Sequence, residues 1–242
     1  GLQAQTPAAE VVAHEIEAQE ERRVRIGVRA GLNMARLADD KAFAPAEMKN
    51  QAGWHVGAVV DVPLRAGFYL QPGLYLSAKG AKTELEETEV YGSQQNLRYE
   101  ERDVDMLFME VPLLVSYRHT LSDGLQLQLQ TGPYLAYGLG GKTSTEWERM
   151  EIVTGGFSFR SSGTTETDTF GHDAEAQDPK DRGAGIKRFD MGWNLGAGLA
   201  FARFYVGLAY EWGFLNLCEA GAWDEGASLR TRNLRISVGY NF

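Results

Sequence analysis

Apolar and polar residues alternate one by one along most of this chain, and that alternation defines its elements. From Leu125 to Gly140 the odd positions include Leu125, Leu127, Leu129, Leu135, Tyr137 and Leu139, and the even ones Gln126, Gln128, Gln130, Tyr134, Ala136 and Gly138. A period of two is that of an extended strand. From Phe189 the odd set is Phe189, Met191, Trp193, Leu195, Leu199 and Phe201, against Asp190, Gly192, Asn194, Gly196 and Gly198. The parity then reverses, with Phe204, Val206, Leu208, Tyr210, Trp212 and Phe214 against Tyr205, Gly207, Ala209 and Glu211. A two-residue turn at Ala202 and Arg203 accounts for the reversal by setting Phe201 and Phe204 opposite each other on one face.

Eight segments follow this pattern: 24–34, 54–64, 68 to 82, 105 to 117, 125–140, 189–201, 204–214 and 232–242. The connections 65–67, 118–124 and 202–203 are short, whereas 35–53, 83–104, 143–188 and 215–231 are long and polar. An even number of strands of about 10 residues or more, with turns at one end and loops at the other, is the pattern of an outer-membrane barrel. The predicted fold is all-β: an eight-stranded antiparallel up-and-down transmembrane β-barrel over 23–242, with four long extracellular loops and short periplasmic turns. Residues 1–22 form a separate periplasmic segment, where "TPAAEVVAHEIEAQEERR" predicts a short acidic helix, so both termini are expected in the periplasm.

A soluble eight-stranded barrel is the competing architecture, and it would turn its apolar set inward. Here the apolar sets are nearly free of charge, and their aromatics cluster at both ends. Phe68, Tyr117, Phe201, Phe204, Tyr240 and Phe242 fall at the turn end, and Trp54, Tyr137, Phe189, Trp212 and Phe214 at the loop end. Two aromatic girdles belong at two membrane interfaces and face outer-membrane lipid.

Composition narrows the function. A net charge of -9 lacks the basic footprint of a nucleic-acid binder. A single Cys, Cys218, excludes an internal disulfide and disfavours a Cys-based metal site, and no cofactor motif stands in its expected context. The stretch "AYGLGGKTS" resembles a loose phosphate-binding loop, but such a loop follows a doubly buried strand that reads as a continuous apolar run, and this strand alternates. Its continuation, "STEWERMEIVTGG", reads at best as a short helical stretch.

"GFYLQPGLYLSAKGAK", "MEVPLLVSYR", "LQTGPYLAYGLGGK", "FDMGWNLGAGLAFARFYVGLAYEWGFLNL" and "RISVGYNF" together resemble the outer-membrane β-barrel family of the Bacteroidota, the porin-like group with PorT-type proteins and an OmpA-like eight-stranded barrel. The resemblance covers the third to eighth segments well and "RAGLNMARL" more loosely. It implies insertion by the barrel assembly machinery, with Tyr240 and Phe242 matching the aromatic carboxy-terminal signal that this machinery reads.

Three functions compete. Eight strands leave a lumen only wide enough for side chains, which argues against an open pore. Arg25, Arg29 and Arg235 share the inward face with Asp61, Glu110, Asp190 and Glu211, predicting a structural ion-pair network, with an ion or proton relay as the alternative. A lipid-modifying enzyme, an acyl hydrolase or transferase, needs a nucleophile, a base and an orienting group. Only His172 with Asp173, Ser161 and Ser162 offers such a set outside the membrane, and no spacing fixes it. The acids Asp173, Glu175, Asp178 and Asp181 lack the regular spacing of a calcium loop. The favoured expectation is a non-enzymatic structural or binding barrel, a subunit of a larger envelope complex that meets membrane or periplasmic protein partners through its loops and amino-terminal tail. Either a hairpin formed by "EIVTGGFSFRSSG" or a partner protein would order the loop 143–188.

Overall fold

In a computed structural model, residues 23–39, 47–91, 94–153, 157–173, 175–178, 181–222 and 228–242 are described. The expected amino-terminal helix lies outside them. Ten strands follow in order: β1 (Arg25–Asp39), β2 (Glu47–Pro63), β3 (Phe68–Tyr91), β4 (Gln94–Ser122), β5 (Leu125–Gly140), β6 (Lys142–Val153), β7 (Phe157–Asp168), β8 (Phe189–Phe201), β9 (Phe204–Gly213) and β10 (Leu229–Asn241). Each pairs antiparallel with its neighbours, and eight of them close a ring in the order β1-β2-β3-β4-β5-β8-β9-β10, with β10 returning to β1 from Gly27↔Asn241 to Asp39↔Leu229. Closure leaves no free edge in the ring, which a barrel in lipid requires because no water is there to satisfy backbone groups.

The alternation decides which way the wall faces. Along β8 every odd residue from Phe189 to Phe201 is exposed and every even one buried. Val28, Leu32, Trp54, Val111, Leu135, Trp193, Leu208 and Val238 all lie on the outward surface, while Arg29, His55, Asp61, Lys79, Glu110, Asp190, Glu211 and Arg235 are buried inside. A soluble barrel would invert this arrangement. Phe201 pairs with Phe204 across the turn at Ala202 and Arg203, where Ala202 takes φ 51°. Glycines give the interior its room: the Tyr205 ring fills the space that a Cβ at Gly198 or Gly207 would need.

Two expected loops prove to be strand. β3 and β4 run on as a hairpin to Tyr91 and Gln94, through the segment 83–104 read as a loop. The "STEWERMEIV" segment, read as a short helical stretch, is β6; it turns back as β7 and pairs along the upper half of β4, from Gln95↔Ile152 to Val104↔Thr143. The physical reason is common to both. These strands stand in water on both faces, so they need no apolar face, and their alternation of charged and β-branched residues gives no hydrophobic period. The result is a four-stranded extension, β3-β4-β6-β7, rising from the loop end of the barrel.

Candidate functional site

The lumen holds the densest chemistry, and strand parity builds it in layers. At the turn end, Asp61 of β2 pairs with Arg118 of β4, and Gln71 Nε2 of β3 donates to Asp61 Oδ1 at 2.6 Å. The Arg118 guanidinium lies over the Tyr69 ring at 4.3 Å. Arg29 packs over Tyr205 at 4.4 Å and donates from Nη2 to Asn241 Oδ1 at 2.8 Å.

At mid-height four charges meet, two cations and two carboxylates. Lys79 pairs with Glu110 and, at 2.9 Å, with Glu211; Arg235 lies 2.7 Å from Glu211 and 3.4 Å from Glu110. All four are almost wholly buried. Asn233 and Asn194 donate to the two Glu211 oxygens at 2.9 and 3.2 Å, so that carboxylate has partners on every side. Buried charge is tolerated only when paired and hydrogen-bonded in this way.

Beside the charges runs a hydrogen-bond relay. Gly31 of β1 faces His55 on one neighbour and Ser237 on the other, and without a side chain it leaves His55 free to span the gap. His55 contacts Ser237 Oγ through Nε2 at 2.9 Å and Asn33 Oδ1 through Nδ1 at 2.9 Å. Asn33 Nδ2 donates to the Trp54 and Ala78 carbonyls at 3.0 and 2.8 Å. These carbonyls lie where the β2–β3 ladder is interrupted between Asn50 and His55, so Asn33 fills a break in the wall. Because its amide nitrogen faces carbonyls, its oxygen faces His55, which assigns the imidazole proton to Nδ1. Ser237 borders a cavity of about 20 Å³, lined also by Arg29, Tyr75, Asn194 and Tyr205, which is room for about one water.

The loop end is closed twice. Thr231 and Tyr134 donate to Asp190 Oδ2 at 2.6 and 3.4 Å. Above them Phe108, Phe170, Ile186, Leu217, Cys218 and Leu229 form a buried apolar seal, with the Phe108 and Phe170 rings edge to face at 5.6 Å. Residues 169–170, 186 and 217–218 come from the long loops, which fold inward as the lid of the barrel.

Of the seven expected lumen charges, Glu110, Glu211 and Arg235 meet in one cluster. Asp61 and Asp190 sit in separate layers, Arg29 is held by Tyr205 and Asn241 and not by an acid across the lumen, and Arg25 is half-buried opposite Asp61 in the β1–β2 register. Lys79 and Arg118 were missed, although each falls on the inward parity of its strand. Trp54, Phe68, Tyr137, Phe201 and Phe204 are exposed on the outer wall, and Tyr117 and Trp212 are partly exposed there. Tyr240 packs edge to face against both Phe204 and Phe242. Ser161 and Ser162 lie midway along β7, roughly 25 Å of extended strand from the loop carrying His172, so that hydrolytic set does not assemble. Among the described residues no cluster of His, Cys, Asp or Glu is placed to hold a metal ion.

The sequence pattern of the outer membrane protein beta-barrel domain matches residues 3–219. No curated protein matches the chain. Solved structures similar to it include the attachment invasion locus protein Ail of Yersinia pestis (12% identity, 90% of this chain and 98% of that one, TM-score 0.36). OprG of Pseudomonas aeruginosa (12%, 91% and 97%, 0.38) and the Neisserial surface protein NspA (10%, 90% and 97%, 0.32) are others. The match over most of its length and the closed, outwardly apolar barrel agree: the chain belongs to the outer membrane protein beta-barrel domain family and is a protein of the outer membrane.

Proposed function

We propose that this protein is a non-enzymatic, non-conducting barrel that serves as a binding or structural component, a subunit of a larger envelope complex. Within its family the quoted motifs favour the porin-like, PorT-type group of the Bacteroidota. The observation that carries the reading is the contrast between a lumen whose mid-height charges are packed around room for about one water and strands far longer than a crossing requires. β3 and β4 have 24 and 29 residues, where about 10 span the bilayer. In this reading the short turns and both termini face the periplasm, the extension stands outside the cell, and it is the contact surface together with the loops and the amino-terminal tail.

A second reading, a lipid-modifying enzyme, has one observation in its favour: Ser237, His55 and Asn33 are linked as a nucleophile, base and orienting group would be. The room beside Ser237 fits about one water and no acyl chain, which favours a structural relay. The test is isolation from native membranes in mild detergent without denaturation, followed by mass spectrometry. Stoichiometric companions are expected, and they should be lost when residues 142–168 are replaced by a short turn. A lone barrel, or companions indifferent to that replacement and to removal of residues 1–22, overturns the proposal.

A further inference from the structure

The outer wall carries a charge pattern at its loop end that barrel closure does not require. Arg36 of β1 and Arg232 of β10 stand directly opposite each other, on the outward parity that Leu32, Met34, Leu234 and Ile236 occupy below them. Arg230 takes the next outward position of β10. Like charges directly opposite on one face repel unless something of opposite sign lies between them. Among the described residues these strands do not supply it: the other outward positions of β1, β8, β9 and β10 carry no Asp or Glu. Beyond β1, Lys49 of β2 adds a cation that Glu84 of β3 already balances at 2.6 Å. Glu219, two residues past the Leu217 amide that bonds Leu229, turns into the lid with its own amide on the Gly185 carbonyl at 2.8 Å. Arg232 is held in place, its Nη1 donating to the Gly213 and Thr231 carbonyls at 2.8 and 2.9 Å, and Arg36 is exposed beside it.

Depth identifies what covers this pair. At the turn end the Phe242 amide bonds the Ile26 carbonyl at 2.9 Å. From Ile26 to Arg36, β1 covers about 33 Å of strand, or about 25 Å along the axis at a tilt near 40°, which is the height of the apolar band of an outer-membrane barrel. The two guanidiniums therefore stand at the level of lipid headgroups, on the rim of the apolar wall. Trp212 pairs with Arg232 in the β9–β10 register and packs edge to face on Tyr210 at 4.6 Å, an aromatic pair of the kind that marks this depth. We propose that Arg36 and Arg232 bind the phosphate of a membrane lipid that carries a phosphomonoester, in the leaflet at the loop end. A phosphomonoester brings about two negative charges near neutral pH, which match two guanidiniums and accept their paired N–H groups; a phosphodiester brings only one. The acyl chains lie on Leu32, Met34, Leu234 and Ile236, exposed directly beneath. A soluble phosphate would meet the same guanidiniums but gain nothing from that apolar surface. The inference needs neither the extension nor a partner protein.

The test uses the full chain in phosphatidylcholine nanodiscs containing equal minor fractions of phosphatidic acid, a phosphomonoester, and phosphatidylglycerol, a phosphodiester. Native mass spectrometry then reads which lipid stays on the barrel. Phosphatidic acid should be retained at least about tenfold over phosphatidylcholine, and more than phosphatidylglycerol, a margin that Arg36→Gln with Arg232→Gln should erase. Arg36→Gln alone, which leaves the backbone bonds of Arg232 in place, should lose most of it, and the gel mobility of heated and unheated samples checks that each variant folds. Arg98→Gln with Arg149→Gln removes two cations from the extension and should leave retention unchanged, as should inorganic phosphate in the buffer. Absence of the preference in the wild type, its survival in the folded Arg36 variants, or an equal loss in the extension variant overturns the site. Phosphatidylglycerol held as firmly as phosphatidic acid overturns the phosphomonoester assignment, and displacement by inorganic phosphate hands the pair to a soluble ion and overturns the lipid.

Discussion

Breaking the balance of the mid-lumen charges should cost more than removing a matched pair. Lys79→Met leaves Glu110 and Glu211 with only Arg235, and Glu110→Gln leaves Lys79 and Arg235 with only Glu211; each variant buries one uncompensated charge. The Lys79 to Glu211 separation of 2.9 Å gives a gross attraction of about 6 kcal/mol at an effective dielectric near 20. Desolvation of both ions offsets most of it, so the pair itself is worth little, whereas one orphaned partner costs about 3–5 kcal/mol. Each single variant should therefore lose about 4 kcal/mol, nearly a thousandfold in the folding equilibrium. The double variant keeps Arg235 on Glu211 at 2.7 Å and stays neutral, so it should lose only about 1–2 kcal/mol. Reversible urea unfolding in lipid vesicles, followed by tryptophan fluorescence and by the gel mobility of folded and heated samples, measures all three. Single variants within about 1 kcal/mol of the wild type, or a double variant as unstable as the sum of the singles, would refute the reasoning.

Further outcomes follow from other layers. Asn33→Ala removes the side chain that fills the β2–β3 break, taking its hydrogen bonds from the Trp54 and Ala78 carbonyls and from His55 Nδ1; a loss of about 3 kcal/mol is expected, with faster amide exchange at 51–54, and unchanged exchange there would count against the role assigned to Asn33. In planar bilayers the wild type and Phe170→Ala should both stay closed, because the charged layer lies beneath the apolar seal; regular conductance steps from the wild type would contradict a filled lumen. In the extension, hydrogen bonds from Lys82 and Tyr99 hold the Glu101 carboxyl below its usual range, and the bond to Glu101 raises the Lys82 ammonium. A depressed acid stabilises above its unfolded pKa and loses that contribution as pH falls through the folded one. A raised base stabilises below its unfolded pKa and loses it as pH rises. Amide protection in the β3–β4 hairpin should thus fall in acid, below the ordinary glutamate pKa, and again in strong alkali; a Glu101→Gln variant with the same acid response would show that another group is responsible.

The barrel was legible because lipid imposes one rule on every crossing: the outward parity must be apolar. That rule gave the eight crossings, the turn between Phe201 and Phe204 and the inward place of Glu110, Glu211 and Arg235. Lys79 and Arg118 were equally readable, since Lys79 shares parity with Gln71 and Arg118 with Glu110, but each stands near the end of its segment, where parity reads as loop. The relay of Asn33, His55 and Ser237 was not readable. It depends on the register of closure, which sets His55 and Ser237 on either side of Gly31 although 182 residues separate them. The hydrolytic grouping of Ser161, Ser162 and His172 failed for the complementary reason. Closeness in sequence within an expected loop became distance along a strand.

The extension follows different energetics from the wall beneath it. Lys49 with Glu84, Lys82 with Glu101 and Arg160 with Glu148 tie adjacent strands, but such exposed pairs contribute only about 0–1 kcal/mol each. With both faces in water there is little apolar burial to add, and a two-stranded hairpin such as β6–β7 is marginal by itself. Its order must come from below: β3 and β4 leave the membrane already paired and in register, and β6 adds to an edge that the barrel has prepared. The barrel is thus the template for the sheet that extends it. A sheet that barrel closure does not require, carried on strands the bilayer does not need, is free to vary in sequence without disturbing the paired charges of the lumen that keep the wall intact.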